Sequence, residues 1–406
     1  MRDLKGTLAG HNIRVLYWIR FFGEISFLAP VLTLFYTARG LSASEILIVL
    51  MFWSGAVLIG EVPTGVFADR YGAKVSFLVG TFFKIGSILL LLVAYEPWVF
   101  FLYSFINGFS VTFFSGADEA LLYDSLKENG AENKMDQAMG HIQSAEFISM
   151  IFAVLFGAYL AKDLENEQFI LLILLGVFFY LVELIFILRI KQPRNVTQYR
   201  ENPFLQVKSG LNVIQKAPHL FVMFLNVSLV FIPASAVYEY FNQPLMTDAG
   251  LPVMYIGVVY ACASIMGYFA SNSIGWLTSR FSRIFLMNAT GLLAVIGLIL
   301  SALLRESLFV ILGAFFVLRF VRAVRYPIYS QLSNDSIPSN VRATTLSLLS
   351  IIDSVMDLVI FATLSAVALT GFTNVLLISA LIALIGTFLP IRSAHVRHNV
   401  EVAGEK

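Results

Sequence analysis

The residues of this chain that could perform chemistry are charged side chains inside long apolar segments. Arg20 and Glu24 lie four residues apart in one such segment, so on a helix they share a face and can form an ion pair. Asp118 and Glu119 are adjacent in another segment and would point about 100° apart on a helix. Buried carboxylates can take up and release protons near neutral pH. The pattern therefore predicts a proton-coupling site at Glu24, Arg20, Asp118 and Glu119.

Each of these pairs also has a structural interpretation. Arg20 and Glu24 could form a static ion pair that fixes helix packing, and Asp118 and Glu119 could belong to a gate close to Asp124. A charge at mid-bilayer costs at least about 2.5 kcal/mol on insertion scales, so each of these side chains is expected to face protein or water. A water-filled central cavity would shelter all of them together.

A further group of charges forms a stripe of arginines. Arg319, Arg322 and Arg325 recur every three residues, which places them on one slowly drifting face of a helix. The first two can bind an anionic substrate or neutralise acidic side chains, whereas Arg325 is expected to snorkel or to act in a gate near the helix end. Aromatic residues in the first and seventh apolar segments would suit an amphipathic substrate, or else pack against lipid and other helices. The predicted substrate-binding residues are Arg319, Arg322, Glu239, Tyr238 and Phe27.

The composition indicates the class of protein that positions these charges. The chain has 406 residues, of which 58% are hydrophobic and 13% are charged, against about 25% charged residues in an ordinary soluble domain. This composition predicts an integral membrane protein. A net charge of +1 argues against nucleic-acid binding, and the single cysteine excludes a disulfide framework and a multi-cysteine metal site. No phosphate-binding loop or nucleophile elbow occurs, so we expect no enzyme, no cofactor and no metal site.

Twelve apolar segments are long enough to cross a bilayer, whose core of about 30 Å needs about 20 helical residues. The first is interpreted as a transmembrane helix rather than a signal peptide, because no small-residue cleavage site ends it. Loops on one side carry most of the lysines and arginines, and the other side carries only Arg39, Lys162 and Arg305. Basic loops favour the cytoplasm, so both termini are expected there, in a multi-pass protein of the cell (inner or plasma) membrane. The segments fall near 13–37, 43–68, 75–95, 98–123, 138–161, 168–190, 219–245, 253–278, 284–304, 307–331, 343–369 and 373–393.

The two halves of the chain resemble each other. The longest break between apolar segments contains prolines and several basic residues and separates six predicted helices from six. One constant shift superposes Gly40 on Gly250 and Arg70 on Arg280, and weak symmetry of this kind is typical of duplicated transporters. The predicted organisation is an N-terminal six-helix bundle (1–190), a cytoplasmic central loop (191–217), a C-terminal six-helix bundle (218–395) and a cytoplasmic tail (396–406).

The turn between the second and third predicted helices carries a motif. It reads Gly65-Val-Phe-Ala-Asp69-Arg70-Tyr-Gly72-Ala73-Lys74 and resembles the signature loop of the major facilitator superfamily. Gly72 permits a tight turn, and Asp69 offers its charge near helix N-termini. In that family the aspartate and the basic residues engage an acid at the cytoplasmic end of the fourth helix. The resemblance therefore implies conformational gating by Gly65, Asp69, Arg70, Gly72, Lys74 and, at the position of that acid, Asp124.

The resemblance covers the whole chain and implies two six-helix bundles around a cavity lined by helices one, four, seven and ten. It places Asp353 and Asp357 of the eleventh helix in gating between the bundles, and Glu146 of the fifth at the same interface. Helices three and six are peripheral in the family, so Lys84 and Glu183 receive no functional role. Two markers of proton-driven drug exporters are missing, namely an arginine on the fourth helix and a glycine–proline pattern on the fifth.

These observations favour a secondary active transporter that works by alternating access between its two bundles. The favoured function is a proton-coupled exporter of small amphipathic or drug-like molecules, that is, a multidrug efflux antiporter, because Pro30 follows Gly23 much as in the family's exporters. The alternatives are an exporter of a peptide or metabolite and, from another class, a non-transporting membrane sensor or assembly partner. The expected partners are a small-molecule or short-peptide substrate, protons and membrane lipid, with no nucleic acid, and the protein is expected to be a monomer.

Overall fold

The computed structural model describes residue 4 and residues 6–193, 218–336 and 342–391. Within these ranges the chain is helical and contains no strand. Residues 194–217 of the predicted central loop and the predicted tail 396–406 lie outside the described residues. So do several of the basic residues that predicted cytoplasmic termini.

Twelve helical spans follow one another in the described residues. In the first half, α1 comprises Leu8–Gly23 and Leu32–Ala38, α2 is Ala43–Tyr71, α3 is Ala73–Leu90, α4 comprises Pro97–Thr112 and Ala117–Glu128, α5 is Met135–Leu160 and α6 is Asn166–Leu188. In the second half, α7 comprises Pro218–Phe231 and Tyr238–Asp248, α8 comprises Ile256–Asn272 and Ile274–Arg280, α9 is Arg283–Leu303, α10 is Leu308–Ser336, α11 is Arg342–Ala368 and α12 is Phe372–Phe388. Nine of the described helices are long and apolar enough by themselves to cross a membrane, and Ala29–Ala38 and Phe372–Phe388 are shorter apolar helices. The prediction of an all-helical membrane protein is confirmed.

Local sequence explains several helix ends. Ser42 and Glu45 form a capping box at the start of α2, in which each side chain accepts a hydrogen bond from the other residue's backbone N–H. Gly72 separates α2 from α3 with a φ of 82°, a conformation that favours glycine. Gly116 has a φ of 71° in the break of α4. Pro30 follows the α1 break, which we define as residues 24–28.

Hydrogen bonds at the helix ends define two faces of the molecule. The side chain of Asn12 in α1 donates to the carbonyl oxygen of Lys191 after α6 at 2.7 Å. The side chain of Asn226 in α7 likewise donates to the carbonyl oxygen of Leu389 after α12 at 2.8 Å. We call the face with these ends and the Gly72 turn the terminal face. The opposite face, with the turn at Gly40, is the distal face.

The two halves pack together along α2 and α11 and along α5 and α8. Near the distal face the hydroxyl groups of Ser44 on α2 and Ser365 on α11 lie 2.8 Å apart. Gly257 of α8 lies so close to α5 that a Cβ would overlap the carbonyl oxygen of Val154. These contacts hold the halves together towards the distal face.

A side chain of the second half also bonds the turn of α1 that follows the break. The carboxamide of Gln243 in α7 accepts a hydrogen bond from the N–H of Thr33 and donates one to the carbonyl oxygen of Ala29, each at 2.9 Å. In a continuous α-helix these two backbone groups, four residues apart, would bond to each other. Gln243 therefore completes the hydrogen bonding of α1 while it closes the distal face.

Candidate functional site

Three charged side chains form a cluster next to the α1 break. Arg20 donates from Nη2 and Nε to Oε2 of Glu146 on α5, at 2.9 and 3.2 Å, and its Nη1 lies 3.7 Å from Oε1 of Glu24. The three side chains are 35–44% exposed, although they belong to helices of the membrane-spanning bundle. Charges at such depth persist only against protein or water. The cluster is therefore placed to face a water-accessible space.

Arg20 also lines a small, open cavity with Asp118 of α4, among apolar side chains. Asp118 is half-buried, and its Oδ1 accepts the N–H of Glu119 at 2.8 Å. Glu119 is exposed and does not line this cavity. The structure thus brings Arg20, Glu24 and Asp118 to one region of the first half and leaves Glu119 outside it.

The second half contains a small, open cavity lined by Glu239, Arg319 and Arg322. Arg319 donates from Nη2 to Oε1 of Glu239 at 2.5 Å, and its guanidinium lies 5.2 Å from the ring centroid of Tyr260. Arg322 lies 5.6 Å from the ring centroid of Phe231 and forms no ion pair with any described residue. Glu239 therefore forms an ion pair with Arg319, whereas Arg322 has no ion-pair partner among the described residues and interacts with Glu239 and Glu146 only at longer range.

An irregular turn in α7 positions Glu239. Residues Ile232–Val237 form a π-helix, and Pro233 within it has no N–H to donate to the preceding turn. Single π-helical turns widen a helix by one residue and are frequent at functional sites. Glu239 lies in the first turn that follows, so this widened turn directs the carboxylate towards Arg319.

The two aromatic residues predicted to bind substrate lie in different places. Tyr238 lines the second-half cavity, and its hydroxyl group lies 3.1 Å from that of Ser301 on α9. Phe27 is buried in the core, where its ring contacts Phe152 and Phe179. It lines neither of the two cavities.

The sequence led us to expect that Arg325 snorkels or acts in a gate near the helix end. In the structure its side chain does not snorkel. It is only 2% exposed, and its guanidinium donates to the carbonyl oxygen of Met287 on α9 at 2.5 Å and to that of Asn226 on α7 at 3.0 Å. It also bonds the side-chain oxygen of Asn226. The side chain points into the second bundle rather than along the membrane, because backbone carbonyls of two neighbouring helices are available there.

The predicted gating residues of the motif occupy the terminal face. Asp69 and Arg70 are exposed at the end of α2, and Lys74 donates from Nζ to the carbonyl oxygen of Leu188 at the end of α6, at 2.6 Å. Asp124 is buried in α4. In this conformation Lys74 fastens α3 to α6, and the charges of Asp69 and Arg70 remain accessible.

Other predicted gating residues lie within the bundles. Asp353 accepts a hydrogen bond from Ser228 of α7 at 2.8 Å. Asp357 accepts one from Ser54 of α2 at 3.0 Å, so it joins the two halves. Gly65 lies inside α2 with open space around its Cα.

Sequence reasoning missed two features of the first half. It placed Glu146 at a bundle interface, and the structure makes this residue the nearest carboxylate to Arg20. It gave no role to Lys84 and Glu183, which form an ion pair of 3.4 Å. Each of these contacts joins different helices, so no spacing along one helix could reveal it.

Comparison with known proteins agrees with this architecture. The profile of the Major Facilitator Superfamily matches residues 15–361. The uncharacterized MFS-type transporter YxaM of Bacillus subtilis (strain 168) is 24% identical over 332 residues, which cover 77% of this chain and 78% of that protein. A second relative from the same organism, the uncharacterized MFS-type transporter YqjV, is 24% identical over 189 residues, which cover 46% of this chain and 44% of that protein.

Solved structures share the fold at low identity. The nucleoside transporter NupG (D323A mutant) matches with a TM-score of 0.77 at 15% identity, covering 94% of this chain and 98% of the other. A D-xylose–proton symporter matches with a TM-score of 0.70 at 12% identity, covering 95% and 97%. Together with the profile match, these likenesses show that the chain belongs to the Major Facilitator Superfamily of secondary transporters and is a multi-pass membrane protein, not an enzyme.

Proposed function

We propose that this protein is a proton-coupled exporter that moves small amphipathic molecules by alternating access. The proposal rests above all on the two charged cavities, one in each half. The first offers carboxylates around Arg20 that are open to water. The second offers the guanidinium of Arg322, which forms no ion pair with any described residue. The first half is thus suited to binding protons, and the second half to binding the charged group of a substrate.

Proton exchange is assigned to Glu24. Glu146 is fixed by two hydrogen bonds to Arg20, whereas Glu24 lies 3.7 Å from Arg20 and its side chain is 43% exposed. A proton from water can therefore reach Glu24 without breaking the bond between Arg20 and Glu146. Asp118 shares a cavity with Arg20 and is the second candidate. The D-xylose–proton symporter of similar fold is consistent with proton coupling on this scaffold.

The substrate is assigned to the class of amphipathic anions. Arg319 is neutralised by Glu239, so Arg322 is the side chain of this cavity that can bind a negative group. Phe315, Leu318 and Tyr238 supply apolar surface around it. A cavity that combines apolar walls with one net positive charge selects ligands with an apolar body and one negative group. Contact of Phe27 with substrate remains a prediction for another conformation.

The terminal face is assigned to the cytoplasm. The lysines and arginines of the loops concentrate on this side and favour the cytoplasm. The distal face is closed by Gln243 and by the contacts of Ser44 and Gly257. The described conformation would then receive its substrate from the cytoplasm, as an exporter must.

Dye transport into proteoliposomes tests this proposal. When the lumen is acidic, we expect the full chain to accumulate the amphipathic anion sulforhodamine B and to leave the cationic dye rhodamine 6G outside. Arg322→Gln should abolish this accumulation, because it removes the positive charge of the cavity. Arg305→Gln, at an exposed loop position, is the matched control. Glu24→Gln should remove the dependence on the pH gradient, and Glu167→Gln at the exposed start of α6 should not.

The same assay separates the alternatives. Accumulation only when the exterior is acidic would identify a symporter and contradict export. Movement of a dipeptide or of uridine, without movement of either dye, would favour a peptide or metabolite transporter. If none of these compounds moves under either gradient, a non-transporting sensor or assembly partner becomes the better explanation.

A further inference from the structure

A buried ion pair joins α3 and α6 beside the α1 break. Lys84 Nζ lies 3.4 Å from Oε1 of Glu183, and the two side chains are 11% and 1% exposed. Lys84 also donates to the carbonyl oxygen of Gly23 at 3.3 Å, and Gly23 is the last residue of the first segment of α1. A Cβ at Gly23 would overlap the Glu183 carboxylate. The ion pair is therefore built directly against the point where α1 is interrupted.

Lys84 has partners that would hold its charge without Glu183. Its ammonium group lies 4.8 Å from the ring centroid of Phe114 and 5.1 Å from that of Tyr180, distances at which aromatic rings attract a cation. The carbonyl oxygen of Gly23 completes this set. These contacts to Lys84 do not depend on whether the carboxyl group of Glu183 is ionised or neutral.

Glu183 has an unused position for a proton. Its Oε2 is buried and has no hydrogen-bond partner in the described residues, although buried polar atoms are normally satisfied. A purely structural ion pair would gain little, because well-packed apolar residues are often at least as stable as a buried ion pair. A buried carboxylate with one free oxygen is instead suited to taking up a proton.

The groups that interact with this ion pair come from α6 itself and from the neighbouring helices α1 and α4. Glu24 follows Gly23 directly, acts electrostatically on Glu183 and is open to water. It is therefore the group through which a proton can approach. Tyr180 of α6 contacts Lys84 and interacts electrostatically with Glu183 and Glu24, and Tyr103 of α4 acts in turn on Tyr180.

We propose that Glu183 is a second proton-binding residue of the transport cycle and that Lys84 is its counter-ion. This inference rests on the proton coupling proposed above. A proton that arrives through Glu24 forms an O–H bond at Oε2 of Glu183, and no electrons are transferred. The charge of the pair changes from zero to +1, and Lys84 moves towards Gly23 and the two rings. Because Gly23 ends the first segment of α1, protonation acts on the α1 break.

Infrared spectroscopy tests proton binding without any substrate. Difference spectra of the full chain in lipid, recorded between alkaline and acidic pH, should show, apart from the bands of exposed carboxyl groups, the higher-frequency carbonyl stretch of a buried protonated carboxyl group. Glu183→Gln should remove this band, and the control Glu167→Gln on the same helix should retain it. An unchanged band in a folded Glu183→Gln protein would overturn the inference. If this variant does not fold, the double variant Lys84→Met with Glu183→Met leaves no lone buried charge and is used in its place.

Transport then separates a proton-binding role from a structural one. Glu183→Gln should lose accumulation of sulforhodamine B against its gradient and retain exchange of the dye across the membrane, because exchange needs no net proton movement. Equal loss of both activities would indicate a structural role and overturn the inference. If the wild-type protein shows no dependence on the pH gradient, the proposed function fails by itself, and the infrared band alone decides whether Glu183 binds a proton.

Discussion

At the residue scale, charged side chains on one helix have different surroundings. Arg322 and Arg325 lie one turn apart on α10, yet Arg322 lines the second-half cavity and Arg325 is buried against α7 and α9. Arg325 donates hydrogen bonds to the carbonyl oxygens of Asn226 and Met287 inside the second bundle, so its guanidinium is already occupied by the protein. Arg322 has no such partners among the described residues. We therefore expect substitutions at these two positions to affect different properties.

Arg325→Leu should destabilise the protein, whereas Arg322→Leu should leave its stability nearly unchanged. The first change removes the donors that Arg325 supplies to the buried side-chain oxygen of Asn226 and to two helix carbonyl oxygens, and a buried polar group left unsatisfied costs about 1–3 kcal/mol. The second removes a charge from a cavity wall. Thermal unfolding of the purified variants, followed by tryptophan fluorescence, measures the difference. Similar unfolding temperatures for the two variants would contradict the structural role of Arg325.

Sequence spacing identified contacts within one helix but not contacts between helices. The pair Arg20 and Glu24 followed from a separation of four residues, and the ion pair is present at 3.7 Å. Glu146 could not be assigned to Arg20, because that contact depends on how α1 packs against α5. The same holds for Lys84 and Glu183 on α3 and α6.

At the element scale, the apolar segments predicted where the helices run but not where they are interrupted. The apolar segments near 13–37 and 98–123 read as continuous helices, and the structure interrupts them at residues 24–28 and 113–116. Gly116 and Pro30 mark these places, but Pro63 and Pro327 lie inside unbroken helices. Proline alone therefore does not predict a break. The turn after the α1 break also takes outside partners for its backbone groups at Ala29 and Thr33, and Gln243 supplies them from the other half.

Gln243→Leu should weaken the closed distal face. It removes the partners of two backbone groups, at Ala29 and Thr33, at a cost of about 1–3 kcal/mol for each group left unsatisfied. In the closed state of the variant these two backbone groups have no partner from Gln243, whereas in the open state they can bond to water. The variant therefore favours the open state. Distances between spin labels at Lys162→Cys and Asp248→Cys, one exposed position in each half, should lengthen.

These measurements need a background in which the exposed Cys262 is replaced by serine. Gln168→Leu removes an amide that bonds only exposed groups of its own segment and serves as the control. If Gln243→Leu and Gln168→Leu give the same distance distribution, Gln243 does not hold the distal face closed.

At the scale of the whole molecule, the fold could be predicted because hydropathy and duplication repeat along the chain. Each apolar segment became a helical span, including α10, which carries three arginines within its apolar stretch. The conformation could not be predicted in this way. Closure at the distal face depends on contacts between the halves, such as those of Gln243 and Gly257, and the sequence is the same in every state of the cycle.

Asp69→Asn should shift the protein further towards the conformation that is open at the terminal face. Asp69 is exposed at the end of α2, and α11, which packs along α2, begins on the same face at Arg342. When the halves approach there, a carboxylate near a helix N-terminus is favoured by up to about 1 kcal/mol at an exposed site. Loss of about 1 kcal/mol changes the ratio of the two states about fivefold.

Spin labels at Lys127→Cys and Ser279→Cys, both exposed on this face, should report fewer short distances, and dye accumulation should fall. Asp136→Asn, an exposed acid at the start of α5, is the control, and an effect as large as that of Asp69→Asn would show that general surface charge, rather than the motif, sets this equilibrium.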